Sequence, residues 1–352
     1  MFSAVSKASD HLTIITGNFA STTEKSNFYL WTKSIVQARV KKIPRKKPVK
    51  IVCANMKAQK PLQYSMNPAG SQVTLLLGPQ TRLTHALNDA VRMHGDFISD
   101  AGVTAITNRN ASSTLRAAAA ESLSDSERRA TLESGLSLNE GDPVFFSAIN
   151  FLGPPADAFR KLELFPNSGR MISGRNSVLS TMVSRVVITI EPLHHFLFYL
   201  PSPTLHKRVA ESPWEALFEI SWSDLISELC EAFPLSRILV MTPDAALMCT
   251  RSVLSELFGS ASCEIDPALL QRPHLTLVGQ EALTRLSATH DPAPEILKRV
   301  FVEHRDTPDS TELEMRIGVD KLTSTLLDQR FLEDLHDIEL LKNVQLLPLH
   351  DW

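Results

Sequence analysis

Cysteine is scarce in this 352-residue chain. The four present, Cys53, Cys230, Cys249 and Cys263, form no CxxC pair and are too few for a disulfide framework. They suit a reducing compartment and are expected as small core residues. Long apolar runs are missing too: none approaches the roughly 18 to 20 residues that cross a bilayer. The opening stretch MFSAVSKASDHLTIITG lacks the apolar core of a secretory signal. These absences predict a cytoplasmic protein without a membrane span. The chain has no GxSxG elbow, so Ser147 in FFSAI is a poor candidate for a hydrolase nucleophile. Adjacent histidines are not a metal signature, and no metal site is expected.

Net charge is also low, at −3, but it conceals an asymmetry. Residues 1–70 hold 12 Lys and Arg against 2 Asp and Glu, which leaves 24 against 37 in the remainder. The positive charge peaks in RVKKIPRKKPVK, Arg39 to Lys50, where Pro44 and Pro48 deny the run a regular helix and no aromatic is interleaved. It reads as a solvated tail, with binding of nucleic acid or of an anionic surface through residues 39–50 as the alternative. The expected organisation is a basic, irregular extension over 1–70 and one α/β domain over 71–352.

What is present beyond Gly70 is regular. VTLLLGPQTRLTHAL, Val73 to Leu87, is an apolar strand, a glycine turn and the start of a helix that runs from Thr84 into Met93. That order aims backbone N–H groups and a helix N-terminus at a place where an anion can sit. The turn has no lysine and no second glycine, so an ordinary βα turn is the competing reading. Helices are expected within Asn108–Glu140, the second capped by Asp125, and strands over Val144–Ala148, Val186–Ile190 and Ile238–Met241. WSDLISELCEAF supplies a helix with Leu225, Ile226, Leu229 and Phe233 on one face, and RFLEDLHDIELLKNVQLLPL repeats the helix-to-strand form. Strands separated by helices predict a three-layer, mainly parallel sheet flanked by helices. Ligands of such sheets bind beyond the carboxyl ends of the strands. There the chain places Gly78 to Thr84, Ile149 to Gly153 and Glu191 to His195.

Five stretches together resemble the bacterial sulfotransferase family: LLLGPQTRLTHAL, FFSAINFLGPP, SRVVITIEPLHHFL, WSDLISELCEAFPLSRILV and EDLHDIELLKNVQLL. The resemblance implies a P-loop-type, sulfotransferase-like fold from about Gln72 onward. It also implies sulfuryl transfer from 3′-phosphoadenosine 5′-phosphosulfate (PAPS) to a hydroxyl of a glycan or small molecule. The donor-binding candidates it names are Gly78, Gln80, Thr81, Arg82 and Thr84. The cofactor motifs are degenerate. Where the family's loop carries lysine this chain has Thr81, with Arg82 one place off as a substitute charge. The positions that hold the 3′ phosphate are matched by Glu191 and Tyr199, where a carboxylate repels phosphate, and the place of an acceptor-activating carboxylate is taken by Ile149. As proton acceptors the candidates are His85, His194 and His195. A non-catalytic member of the fold, binding a glycan, nucleotide or protein partner with no cofactor, is the alternative to an enzyme.

The first seventy residues match nothing in the family, and Met66 stands seven residues before Val73, as a natural start would. The basic, proline-broken run has little apolar surface to set against the roughly 1–2 kcal/mol per residue lost on ordering backbone. A chain beginning at Met66 is therefore expected to melt at the same temperature as the whole protein, and trypsin is expected to cut 32–65 first. A loss of several degrees in Tm would contradict this.

Overall fold

The computed structural model describes residues 2–8, 11–17, 73–118, 122–137, 143–160, 163–166, 177–287 and 294–347. Contacts divide the chain into two units, Met1–Gln63 and Tyr64–Trp352. In the first, β1 (Phe2–Ala8) and β2 (His11–Gly17) pair antiparallel, with Phe2 opposite Gly17 and Ala8 opposite His11. The extension expected to be irregular thus begins with a hairpin. The basic run 39–50, and all of 32–65, lie outside the described residues.

The second unit is α/β. Its sheet contains β3 (Val73–Gly78), β4 (Thr104–Ile106), β5 (Val144–Ser147), β8 (Arg185–Thr189), β9 (Arg237–Met241) and β10 (Val344–Leu346). All pairings are parallel, in the order β10-β9-β8-β3-β5-β4. A separate two-residue pair joins β6 (Phe159–Arg160) to β7 (Glu163–Leu164). The expected strands are all present. Within this sheet the unexpected strand is β4, three residues long and too short to show a period. The labelled helices are α1 (Arg82–Met93), α2 (Asn108–Ala118), α3 (Asp125–Gly135), α4 (Leu193–Tyr199), α5 (Trp222–Ala232), α6 (Pro243–Met248), α7 (Thr250–Phe258), α8 (Leu277–Ser287), α9 (Pro294–Glu303) and α10 (Lys321–Glu339).

The strands are apolar at consecutive positions because both faces of the sheet are covered. Leu76, Phe145, Val187 and Leu239 point to a layer holding Leu83, Leu87 and Ala90 of α1 with Leu254 and Leu257 of α7. Leu75, Leu77, Phe146, Ile188 and Val240 point the other way, to Leu225 and Leu229 of α5 and Phe331 and Leu335 of α10. Each such leucine, fully buried, contributes roughly 2 kcal/mol. A third cluster, Leu247, Leu275, Leu283 and Phe301, lies under α8 and α9.

Helix starts follow local chemistry. Thr81 caps α1, its hydroxyl accepting from the Thr84 N–H. The cap of α3 is Ser124 rather than the expected Asp125; it forms a capping box with Glu127, which leaves Asp125 as the first helical residue. The start of α5 is held from a distance, since Asp334 of α10 accepts from the Ser221 hydroxyl at 2.6 Å and from the Trp222 N–H at 3.0 Å. Cys263 is exposed and Cys230 and Cys249 are half-buried, so the core role expected of the cysteines does not extend to these three.

The pairing of β3 with β8 shifts register between Leu76 and Gly78, a bulge at the end of β3 that turns the chain towards α1. Gly78 has φ 100°, and a Cβ there would lie 2.8 Å from the Ile149 carbonyl oxygen. Gly78→Ala is therefore expected to cost roughly 2–3 kcal/mol, from positive-φ strain plus a backbone clash. Urea denaturation checks this, and a cost below half a kcal/mol would show that the turn relaxes freely.

Candidate functional site

The loop from β3 into α1 turns its polar groups inward on one another. Thr81, Thr84 and Thr189, the last residue of β8, are all buried. The Thr81 hydroxyl lies 3.1 Å from that of Thr84 and 2.5 Å from that of Thr189, and the Thr84 hydroxyl also pairs with Thr189. Thr84 donates its one proton to the Pro79 carbonyl at 2.6 Å. Gln80 Nε2 donates to Asn150 Oδ1 in the loop after β5. The hydroxyls at the N-terminus of α1 thus satisfy each other where an anion would need them.

Arg82 is committed as well. Its Nη1 donates to the Pro273 carbonyl at 2.9 Å and to Asp306 Oδ2 at 2.7 Å, and its Nη2 donates to the Asp306 carbonyl at 3.0 Å. The guanidinium carbon stands 3.7 Å from the centre of the Tyr199 ring. The Tyr199 hydroxyl donates to Asp306 Oδ2 at 3.2 Å. The charge of Arg82, expected as a substitute for a loop lysine, is met in this structure by Asp306.

Asp306 belongs to a strap made of residues 272–276 and 304–309. Leu275 and Arg305 form an antiparallel bridge, the Asp306 N–H donates to the His274 carbonyl at 2.8 Å, and the Thr276 N–H donates to the His304 carbonyl at 2.9 Å. Consecutive residues tie the strap to two strand ends. Arg305 makes a two-pronged pair with Asp244, just after β9, at 2.7 and 3.2 Å, while Asp306 reaches Arg82, just after β3.

Beside these pairs lie three buried titratable side chains, Glu191, His194 and His274, and the half-buried His195. Glu191 is 1% exposed, and neither carboxyl oxygen has a hydrogen-bond partner among the described residues. Burial pushes its pKa up from 4.5 to about 7, against the pull of Arg82 and Arg305. The repulsion expected between this acid and a phosphate therefore applies only where Glu191 is ionised. His194 Nε2 is 3.6 Å from Asp328 Oδ1, its Nδ1 has no partner among the described residues, and burial lowers its pKa to about 4. Burial also lowers His195 strongly, with His194, Arg305 and Arg82 adding to the shift. His274 is buried, has no partner at either ring nitrogen among the described residues, and is held well below its usual pKa by burial, then by Arg82 and Arg305. His85 is exposed on α1, outside this buried group.

Of the expected site residues, Gly78, Gln80, Thr81, Arg82 and Thr84 do gather at the ends of β3, β5 and β8, with His194 and His195 on α4 close by. Sequence reasoning included Asn150 only within the stretch Ile149 to Gly153 and missed Thr189, Asp244, His274, Arg305 and Asp306. The one available signal for the strap was EHRDTPD, a charged, proline-containing break between helical stretches. No protein-family model, curated protein or solved structure matches the chain. Among the described residues no group of three or more His, Cys, Asp or Glu is placed to hold a metal, and no helix is long and apolar enough to cross a membrane.

The shifts set a pH dependence. Glu191 binds its proton more tightly folded than unfolded, so its contribution falls as pH rises from about 4.5 through 7. His194, His195 and His274 act in the opposite sense: their contribution is complete above about 6.5 and is lost as they are forced to charge at lower pH. Glu191→Gln is expected to stabilise the protein at pH 8 by up to about 3 kcal/mol and to change little at pH 5. Denaturation at the two pH values tests this, and an equal effect at both would show that Glu191 does not ionise within the range.

Proposed function

We propose that this chain is a sulfotransferase-like protein of P-loop type whose donor site is closed by its own side chains, and that it acts as a binding protein rather than a PAPS-dependent transferase. The observation that carries this reading is the engagement of Arg82 by Asp306, Pro273 and Tyr199. Further support comes from the sheet order, in which β3, the first strand of the sheet, lies between β8 and β5. Its loop therefore opens where successive connections diverge, the usual ligand crevice of such sheets.

PAPS does not fit the residues present. The cradle hydroxyls are mutually bonded, the nearest guanidinium is paired, and the position matched to a 3′-phosphate contact holds Glu191 without a partner among the described residues. Losing one charge-assisted phosphate contact costs about 1.5–3 kcal/mol, so several together reduce affinity by orders of magnitude. The ligand class that suits the crevice is a small molecule or glycan carrying an anionic group able to compete for Arg82.

Calorimetry with 3′-phosphoadenosine 5′-phosphate is expected to give binding weaker than micromolar. Micromolar or tighter binding that Arg82→Ala abolishes would overturn the reading and restore a sulfotransferase.

A further inference from the structure

We propose that residues 273–287 and 294–307, most of the strap with the two helices it joins, form a lid that swings as one body from the carboxyl ends of the strands, with the Arg82–Asp306 and Arg305–Asp244 pairs as its latch. This rests on the binding role proposed for the crevice and adds how a ligand reaches it.

The lid is tied together within itself. Leu275 bridges Arg305, the Asp306 and Thr276 N–H groups donate across the strap at 2.8 and 2.9 Å, and Gln280 Nε2 donates to the Leu275 carbonyl at 3.0 Å. α8 lies close on the strap at Gly279, where a Cβ would stand 2.5 Å from the Cβ of His304. Leu275, Leu283 and Phe301 are buried together, and the buried residues that join them from outside the lid are Leu247 and Ala268. Neither of the large clusters on the two faces of the sheet contains a residue of the lid. A segment with a small cluster of its own can leave the domain without disturbing the layers.

The chain is anchored on either side of it. Gln271, buried, donates through Nε2 to the Leu247 carbonyl at 3.3 Å and to the Thr250 hydroxyl at 2.8 Å. Asp309 caps the helix Ser310–Ile317, whose Leu313 and Ile317 are in the core. Arg272 and Pro308 stand between these anchors and the lid, and a few residues at the ends of elements are enough to absorb a hinge motion.

The contacts that hold the lid down are polar and reached by water. Arg82 donates to the Pro273 carbonyl and to Asp306, and Arg305 meets Asp244 at 2.7 Å. The side chains of Asp306, Arg305 and Asp244 are 42%, 33% and 38% exposed. Pairs this exposed are weak and are screened by salt. Arg305 and Asp306 are adjacent on one short segment, so the two pairs release together. Opening uncovers His274, which is 1% exposed and follows the Pro273 that Arg82 grips.

The test uses the full chain without ligand and reads carbethoxylation of His274 by diethyl pyrocarbonate, mapped by mass spectrometry and normalised to the exposed His85. In folded protein carrying both Asp244→Asn and Asp306→Asn, the His274 rate is expected to rise at least about fivefold over the parent, because both pairs are lost. The amides at 276 and 306 are expected to stay as protected from hydrogen exchange as in the parent, because the lid moves intact. A parent-level His274 rate in the folded double variant would sink the proposal. So would a gain accompanied by fast exchange at 276 and 306, since the strap would then be unravelling. If the double variant fails to fold, the parent decides: raising sodium chloride from about 0.02 to 1 M is expected to speed His274 labelling by a similar factor while the β3 amides stay protected, and an unchanged rate counts against the lid. Tight binding of 3′-phosphoadenosine 5′-phosphate by the parent would overturn the non-transferase reading and leave the labelling result, obtained without ligand, to judge this inference.

Discussion

The contact between Gly78 and the Ile149 carbonyl sets the geometry on which the site depends. Two parallel strands, β3 and β5, end side by side, and their following loops must diverge in almost no space. A residue without Cβ, at φ 100°, lets the backbone of one loop lie against that of the other. The bulge beside it in the β3–β8 pairing turns the chain. Thr81 then falls at the N-cap of α1 and Arg82 at its first turn, beside Thr189 of the neighbouring strand. Without that approach the three hydroxyls would not meet and Arg82 would point elsewhere.

The strap answers a second demand of a parallel sheet. Carboxyl ends of strands gather loops, and the polar groups there need either water or partners. In this protein the chain supplies partners from 224 residues away for Arg82 and 61 residues away for Asp244. Asp306 and Arg305, opposite in charge and adjacent in sequence, reach Arg82 and Asp244 at the ends of β3 and β9. Half-buried pairs of this kind contribute modestly to stability. Their stronger effect is to fix where 272–276 and 304–309 lie, and so to close the crevice.

Closure has a cost that the rest of the domain offsets. Glu191, His194 and His274 are placed where their charged forms are disfavoured, and several of their polar atoms lack partners among the described residues. A core covering both faces of the sheet supplies enough burial to carry them. Perturbed titratable groups of this sort cluster at functional sites more often than in purely structural cores. Their presence together at the strand ends is what supports the binding role proposed for the crevice.

Much of the layering could be read directly. Consecutive apolar residues in LLL, VFF, VVI and ILVM demand strands covered on both faces, and the spacing of Leu225, Ile226 and Leu229 demands a helix that covers one of them. Those are local patterns, and they determined the α/β class, most strand positions and the turn at Gly78. The roles of the turn residues could not be read this way. Whether Arg82 meets a ligand or a carboxylate depends on a residue 224 positions later, and whether Glu191 is charged depends on how completely the folded layers exclude water. The sequence by itself settled which residues stand at the strand ends. Only the tertiary structure decided what each one faces, because contact across such separations is set by topology and packing, which leave no periodic trace along the chain.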